Sequence, residues 1–280
     1  MPKTLFFTAL TIFLLSACAA PTLEAISTST PAPSPTPDGQ LTGWNLVWQD
    51  EFNGNTLDSK NWKFDLGANG WGNAEMEEYT NRTDNVRVEN GNLIIEARAD
   101  NAAKYGYSSA RIKTQDLQAW QYGRVEARMK LPKGQGLWPA FWMLGNDIGK
   151  TAVWPNSGEI DIMEMIGKQP NTIYNTAHGP GYSGAKGLGS HTDLPQGSLQ
   201  NDFHVYAVEW EATEIRWYID DAQVFKVAST DVASNKWVFD HPFFIILNVA
   251  VGGGWPGFPD ASTILPQQML VDYVRVYQRP

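Results

Sequence analysis

Arg124-Val125-Glu126-Ala127-Arg128-Met129-Lys130-Leu131 alternates without interruption, with charged residues at the even positions and Val, Ala, Met and Leu at the odd ones. A period of two is the signature of a β-strand with one face in a core and the other in water. The pattern recurs on both sides. Leu93, Ile95, Ala97 and Ala99 oppose Ile94, Glu96 and Arg98, while Ile215, Trp217 and Ile219 alternate with Arg216, Tyr218 and Asp220. Further strands are expected at Asn45–Gln49, Ser108–Lys113, Pro139–Leu144, Glu159–Ile166, Thr172–His178, Phe203–Trp210, Phe243–Val249 and Leu270–Tyr277. Turn-forming runs separate them, among them Glu89-Asn90-Gly91-Asn92, Pro132-Lys133-Gly134 and Gly252-Gly253-Gly254. No segment sustains a helical period. Many antiparallel strands joined by Gly-rich turns make an all-β sandwich or barrel, and two large sheets fit the length. With no internal repeat or second linker, residues 43–280 are expected to form one domain.

The whole chain has 280 residues, 42% of them hydrophobic and 18% charged, which suits a folded protein rather than a disordered one. Its formal charge of −9 argues against nucleic acid as a partner. Twelve Trp, twelve Phe and ten Tyr call for a dense core or a surface built for stacking. Cys18 is the only cysteine, so no internal disulfide and no cysteine-based zinc or iron–sulfur site can form.

The first residues read as an address. Lys3 supplies charge, and Leu5 to Leu15 form an apolar run the size of a secretory signal core, too short for the roughly 20 residues of a membrane-spanning helix. Leu15-Ser16-Ala17-Cys18 resembles a bacterial lipoprotein cleavage box, which implies a signal peptide over 1–17, lipidation of Cys18 and anchoring of an exported protein to a membrane. Residues 18–42 carry Pro21, Pro31, Pro33, Pro35 and Pro37 among Ser and Thr, the composition of an extended tether.

Chemistry concentrates in Ser157-Gly158-Glu159-Ile160-Asp161-Ile162-Met163-Glu164. In a regular strand Glu159 and Asp161 share one face and Glu164 falls on the other. One extra residue, absorbed as a β-bulge near Met163, returns Glu164 to the acidic face. Like charges so close raise at least one pKa, and sites that tolerate this are often catalytic. A solvent-facing strand with ordinary charges is the plainer alternative. Trp138, Trp142 and Trp154 just before the cluster, and Trp255 in a later loop, tip the balance, because indole faces stack on sugar rings while paired carboxyls cleave glycosidic bonds.

Gly158-Glu159-Ile160-Asp161-Ile162-Met163-Glu164 resembles the Glu-x-Asp-x-x-Glu signature of glycoside hydrolase family 16, in its laminarinase-like, bulged form. The resemblance extends to Trp48-Gln49-Asp50-Glu51-Phe52-Asn53-Gly54, Gly70-Trp71-Gly72-Asn73, Gly136-Leu137-Trp138-Pro139-Ala140-Phe141-Trp142-Met143-Leu144, Gly252-Gly253-Gly254-Trp255-Pro256-Gly257 and Asp272-Tyr273-Val274-Arg275-Val276-Tyr277. It implies a β-jelly-roll sandwich of two antiparallel sheets with a concave substrate cleft. It also implies retaining, endo-acting hydrolysis of β-1,3-glucans with Glu159 as nucleophile, Glu164 as acid and base, and Asp161 between them. Asn73, Arg111, Trp138, Trp142, Trp154, His178 and Trp255 become the expected substrate contacts. For Arg111 a strand-face ion pair is the plain alternative, and for Trp142 a place in the core.

The same resemblance implies a structural calcium held by Glu51, the Gly91 carbonyl and Asp272, no cofactor for catalysis, and a monomer. Glu77 and Glu78 stand where many relatives of that family have Gln and Tyr; two extra carboxylates near the cleft are expected to disfavour sulfated substrates. Mixed-linkage glucan hydrolysis, transglycosylation and sugar binding without catalysis are the rival functions.

Overall fold

The computed structural model describes residues 39–280, so the signal peptide, Cys18 and nearly all of the 18–42 linker lie outside the described residues. Leu41, at the end of that linker, is buried against Trp44 and Tyr277, so packing reaches slightly ahead of residue 43.

Alternating faces produce two sheets. The seven-stranded sheet runs Leu188–Asp193, Thr172–His178, Glu159–Glu164, Leu137–Gly145, Phe243–Val251, Arg111–Lys113, Lys63–Asp65 in spatial order. The ten-stranded sheet runs Ala222–Ala228, Glu214–Ile219, His204–Trp210, Gly123–Lys130, Gln267–Gln278, Asn92–Ala99, Tyr107–Ser109, Glu77–Tyr79. Asn45–Asp50 also pairs with Gln267–Gln278, and Val86–Glu89 with Asn92–Ala99. All of these pairs are antiparallel except Glu77–Tyr79 with Tyr107–Ser109. This is the all-β jelly-roll sandwich expected from the sequence. Among the described residues, helix is confined to Ser198–Asn201 and a 3-10 turn at Gly184–Lys186.

The core fills the gap between the sheets. Val125, Ala127, Met129 and Leu131 enter it from the ten-stranded sheet, as the alternation requires. Leu137, Phe141 and Met143 enter from the other side, joined by Ile160, Ile162 and Met163. Trp62, Trp210 and Trp217 are almost wholly buried there. Much of the aromatic content is therefore spent on packing, at about 1.5–3 kcal/mol for each large side chain removed from water.

Two strand assignments change. Ser108–Lys113 is not one strand: Tyr107–Ser109 lies in the larger sheet and Arg111–Lys113 in the smaller, with Ala110 fully buried at the crossing. Alternation continues through the crossing, so it carries no mark of the change of sheet. The strand expected to run from Glu159 to Ile166 ends at Glu164. Leu188–Asp193 and Ala222–Ala228 were missed because edge strands bury little and show weak apolar alternation.

Phe141 sits on the strand beside the acidic strand, paired in register with Met163, and is fully buried. Phe141→Ala should cost about 3–5 kcal/mol of stability by leaving a cavity. Urea unfolding checks this through a lowered midpoint at unchanged slope; a loss under about 1 kcal/mol would contradict this packing.

Candidate active site

The outer face of the seven-stranded sheet carries a cleft of about 1210 Å³. The acidic strand crosses its floor. On one side Glu159 pairs with His178, Asp161 with Thr176 and Glu164 with Tyr174; on the other Asp161 pairs with Trp142, Met163 with Phe141 and Glu164 with Ala140. Both ladders slip between Asp161 and Glu164 by one residue. That slip is the expected bulge. It lets Ile162 and Met163 both enter the core and turns Glu164 to the face that Glu159 and Asp161 share.

Each acid has a defined partner. The Trp154 indole donates to Glu159 Oε2 at 3.0 Å, and the Trp138 indole donates to Glu164 Oε1 at 3.0 Å. His178 Nε2 stands 3.1 Å from Asp161 Oδ2 and 3.7 Å from Glu159 Oε1. Gly187 makes room for that ring, because a Cβ there would lie 2.4 Å from His178 Cε1.

Burial and then the neighbouring Asp161 push Glu159 up to about 8. Burial raises Asp161 to about 8. Glu164 is held well above the ordinary carboxylate range by burial and by both other acids. His178, the Trp154 indole and Arg111 pull Glu159 down, and His178 and the Trp138 indole pull Glu164 down, but Glu164 has both Asp161 and Glu159 against it. The arrangement therefore keeps a proton on Glu164 more readily than on Glu159. One carboxyl can act as a proton donor and another as an anion within the same cleft.

The walls are aromatic. Trp138 and Trp142 stand on the strand Leu137–Gly145, facing the cleft, while Phe141 between them faces the core. Trp154 is 45% exposed at the rim, the surface most open to a sugar ring. Trp255 makes edge contacts with Trp138 and Tyr174, at 5.2 and 5.0 Å between centroids.

Arg111 lies 4.9 Å from the Trp71 ring centre and 4.8 Å from that of Trp142, with Nε 3.1 Å from Asp65. The ion pair and the place in the cleft expected for Arg111 are thus both present, and its guanidinium holds two indoles upright. Asn73 lines the cleft and donates to Glu75 at 2.9 Å. Behind it runs a chain in which the Trp142 indole donates to Asn248, the Asn248 amide to the Tyr79 hydroxyl, and that hydroxyl to Glu75, at 2.8, 3.1 and 3.1 Å.

Sequence reasoning passed over Tyr174, Thr176, Asn248 and Glu75, all in the cleft lining. Two of these carried a signal: Tyr174 and Thr176 share His178's face by simple alternation. Asn248 is the single polar residue in Phe243–Val251.

Two expectations fail. Glu77 and Glu78 add no negative charge to the cleft. Glu77 is fully buried, and burial followed by Glu75 pushes it up to about 10, so it is a neutral acid. Its Oε2 accepts from the Val251 amide at 2.6 Å, and it hydrogen-bonds Glu75. Glu78 lines a separate depression with Leu66 and Arg82.

The calcium set does not fit either. Both oxygens of Glu51 take Arg275, at 2.7 and 2.9 Å, and Asp272 takes Arg128 at 2.7 Å. Guanidinium groups already neutralise both carboxylates, so two of the three groups proposed for a hard cation are engaged elsewhere. Among the described residues, the tightest cluster of metal-ligating types is Glu159, Asp161 and His178, within 4.8 Å of one another at the floor of the cleft.

A family profile described as "Glycosyl hydrolases family 16" matches residues 73–275. The chain is 43% identical over 244 residues to a Beta-glucanase of Rhodothermus marinus, covering 84% of this chain and 85% of that one. It resembles the catalytic domain of an endo-1,3-beta-glucanase (laminarinase) from Thermotoga petrophila at a TM-score of 0.80 and 48% identity, over 84% of this chain and 98% of the other. It also resembles the endo-beta-1,3-glucanase from Pyrococcus furiosus at a TM-score of 0.81 and 46% identity, over 90% and 99%.

Glu77 supplies a test of the buried acid. A group whose folded pKa is raised costs stability as pH climbs from its unfolded value near 4.5 towards about 10, because the folded state holds the extra proton. Glu77→Gln keeps the acceptor for Val251 and a donor for Glu75 without that titration. Its stability advantage over the parent should therefore grow between pH 5 and pH 9 to the order of a few kcal/mol, followed by denaturant melts across that range. An advantage independent of pH would mean that Glu77 is not the protonated group.

Proposed function

The chain belongs to glycosyl hydrolases family 16 and is a glycoside hydrolase, and we propose that its cleft cleaves internal β-1,3-glucosidic bonds of laminarin-type glucans with retention of configuration. The observation that carries the reading is the bulge, which brings Glu159 and Glu164 to one aromatic-walled face. A protein that only bound sugar would gain nothing from three buried acids that repel one another.

In the first step Glu159 attacks the anomeric carbon as a carboxylate. The bond to the leaving oxygen breaks, and Glu164 gives that oxygen its proton. In the second step Glu164 takes a proton from water, the water oxygen attacks the anomeric carbon, and the ester to Glu159 breaks. Asp161 and His178 sit beside Glu159 and tune its charge. Trp154 and Trp138 donate to the two working carboxyls and offer their ring faces to the sugars. An aromatic-walled cleft suits a neutral glucan.

Glu159→Ala and Glu164→Ala should each lower laminarin hydrolysis by about 10³-fold or more while the protein still melts cooperatively. Reducing-end release measures this. On a 2,4-dinitrophenyl β-laminaribioside, whose leaving group needs no proton, added azide should restore turnover in both, giving the β-glycosyl azide with Glu164→Ala and the α-glycosyl azide with Glu159→Ala. Near-full turnover by either variant sinks the assignment. Product analysis on laminarin and on lichenan separates β-1,3 from mixed-linkage specificity.

The leader and Cys18 support export of a lipid-anchored enzyme. Fatty-acid label should enter the full-length chain in a bacterial host and be lost in Cys18→Ser; equal labelling of both would refute the anchor.

A further inference from the structure

A bulge breaks the regular ladder and leaves backbone carbonyls to be satisfied by something else. Here the bulge lies over a dry apolar core, where an unpartnered carbonyl costs about 1–3 kcal/mol. Two buried donors stand at that place. Asn175, fully buried on the neighbouring strand, points its amide into the core and donates to the Ile162 carbonyl at 2.7 Å. Trp217, fully buried on a strand of the opposite sheet, reaches across the core and donates its indole N–H to the Asp161 carbonyl at 2.8 Å. The two acceptors are consecutive residues, and both belong to the segment where the register slips.

We propose that Asn175 and Trp217 are positioning residues that clamp the bulge from the core side and so hold Glu164 in the cleft. Without them the two carbonyls lie unpaired in the core, and a straighter strand, though it packs Ile162 and Met163 less well, satisfies them through the ladder. Straightening by one register turns Glu164 away from Glu159. The clamp therefore acts on the proton donor from behind the sheet, without touching substrate. It rests on the reading of Glu164 as acid and base given above.

Trp217→Phe keeps an aromatic ring but removes the N–H together with part of the indole, and Asn175→Leu keeps the volume and removes the amide. Trp210→Phe is the control, since Trp210 donates to the Phe239 carbonyl at 2.8 Å in the same core, away from the bulge. Each is assayed on laminarin and on a 2,4-dinitrophenyl β-laminaribioside, whose leaving group departs without a proton. Trp217→Phe and Asn175→Leu should lower kcat on laminarin by about 100-fold with KM changed less than about twofold. First-turnover release of dinitrophenolate should fall by no more than about threefold. Trp210→Phe should lower Tm comparably and leave both activities within about twofold.

The proposal is overturned if Trp217→Phe keeps its laminarin kcat, or loses the same factor on both substrates. Should Asn175→Leu fail to melt cooperatively, Trp217→Phe against Trp210→Phe decides alone. A parent enzyme inactive on both substrates would sink the glucanase reading, and the clamp with it; an active parent with unaltered variants would sink the clamp only.

Discussion

One surplus residue in one strand governs this protein. Side chains on a strand change face at every step, so Glu159 and Glu164 would naturally point in opposite directions, one to the cleft and one to the core. Burying a lone carboxyl among Phe141 and Met143 would be costly. The slip after Asp161 removes that conflict and sends two apolar side chains, Ile162 and Met163, into the core instead. A single local irregularity thus improves the packing and assembles the site at the same time.

The electrostatics follow from where the bulge puts the acids. Three carboxyls share a poorly hydrated floor with one histidine and one more distant arginine. Full ionisation of all three would combine repulsion with lost hydration, so protons are retained, and uneven neighbours decide where. Glu159 has the indole of Trp154, His178 and Arg111 on its side; Glu164 has both other acids against it. Asymmetry of this kind lets chemically similar groups serve as donor and nucleophile in one pocket. The pair Glu75 and Glu77 shows the same physics without chemistry: burial makes Glu77 a neutral hydrogen-bonding group that braces the wall behind Asn73.

The aromatic walls depend on a different device. Indoles that must stay open to solvent on one face need a hold on the other. Arg111 supplies it for Trp71 and Trp142, and the relay through Asn248 and Tyr79 ties Trp142 to the Asn73 loop. Rigid walls lower the entropy cost of ordering a sugar chain.

Alternation along Arg124–Leu131 and its counterparts determined by itself that the fold is all-β and which faces meet, because period two is a local property of the backbone. The acidic motif likewise announced the bulge, since only a shifted register reconciles its acids with its isoleucines. What only the tertiary structure decided were long-range matters: the change of sheet at Ala110, the capture of Glu51 and Asp272 by Arg275 and Arg128, and the neutrality of Glu77. Each depends on which distant residue arrives beside a given side chain. Burial and charge are set by that encounter, and no local period encodes it.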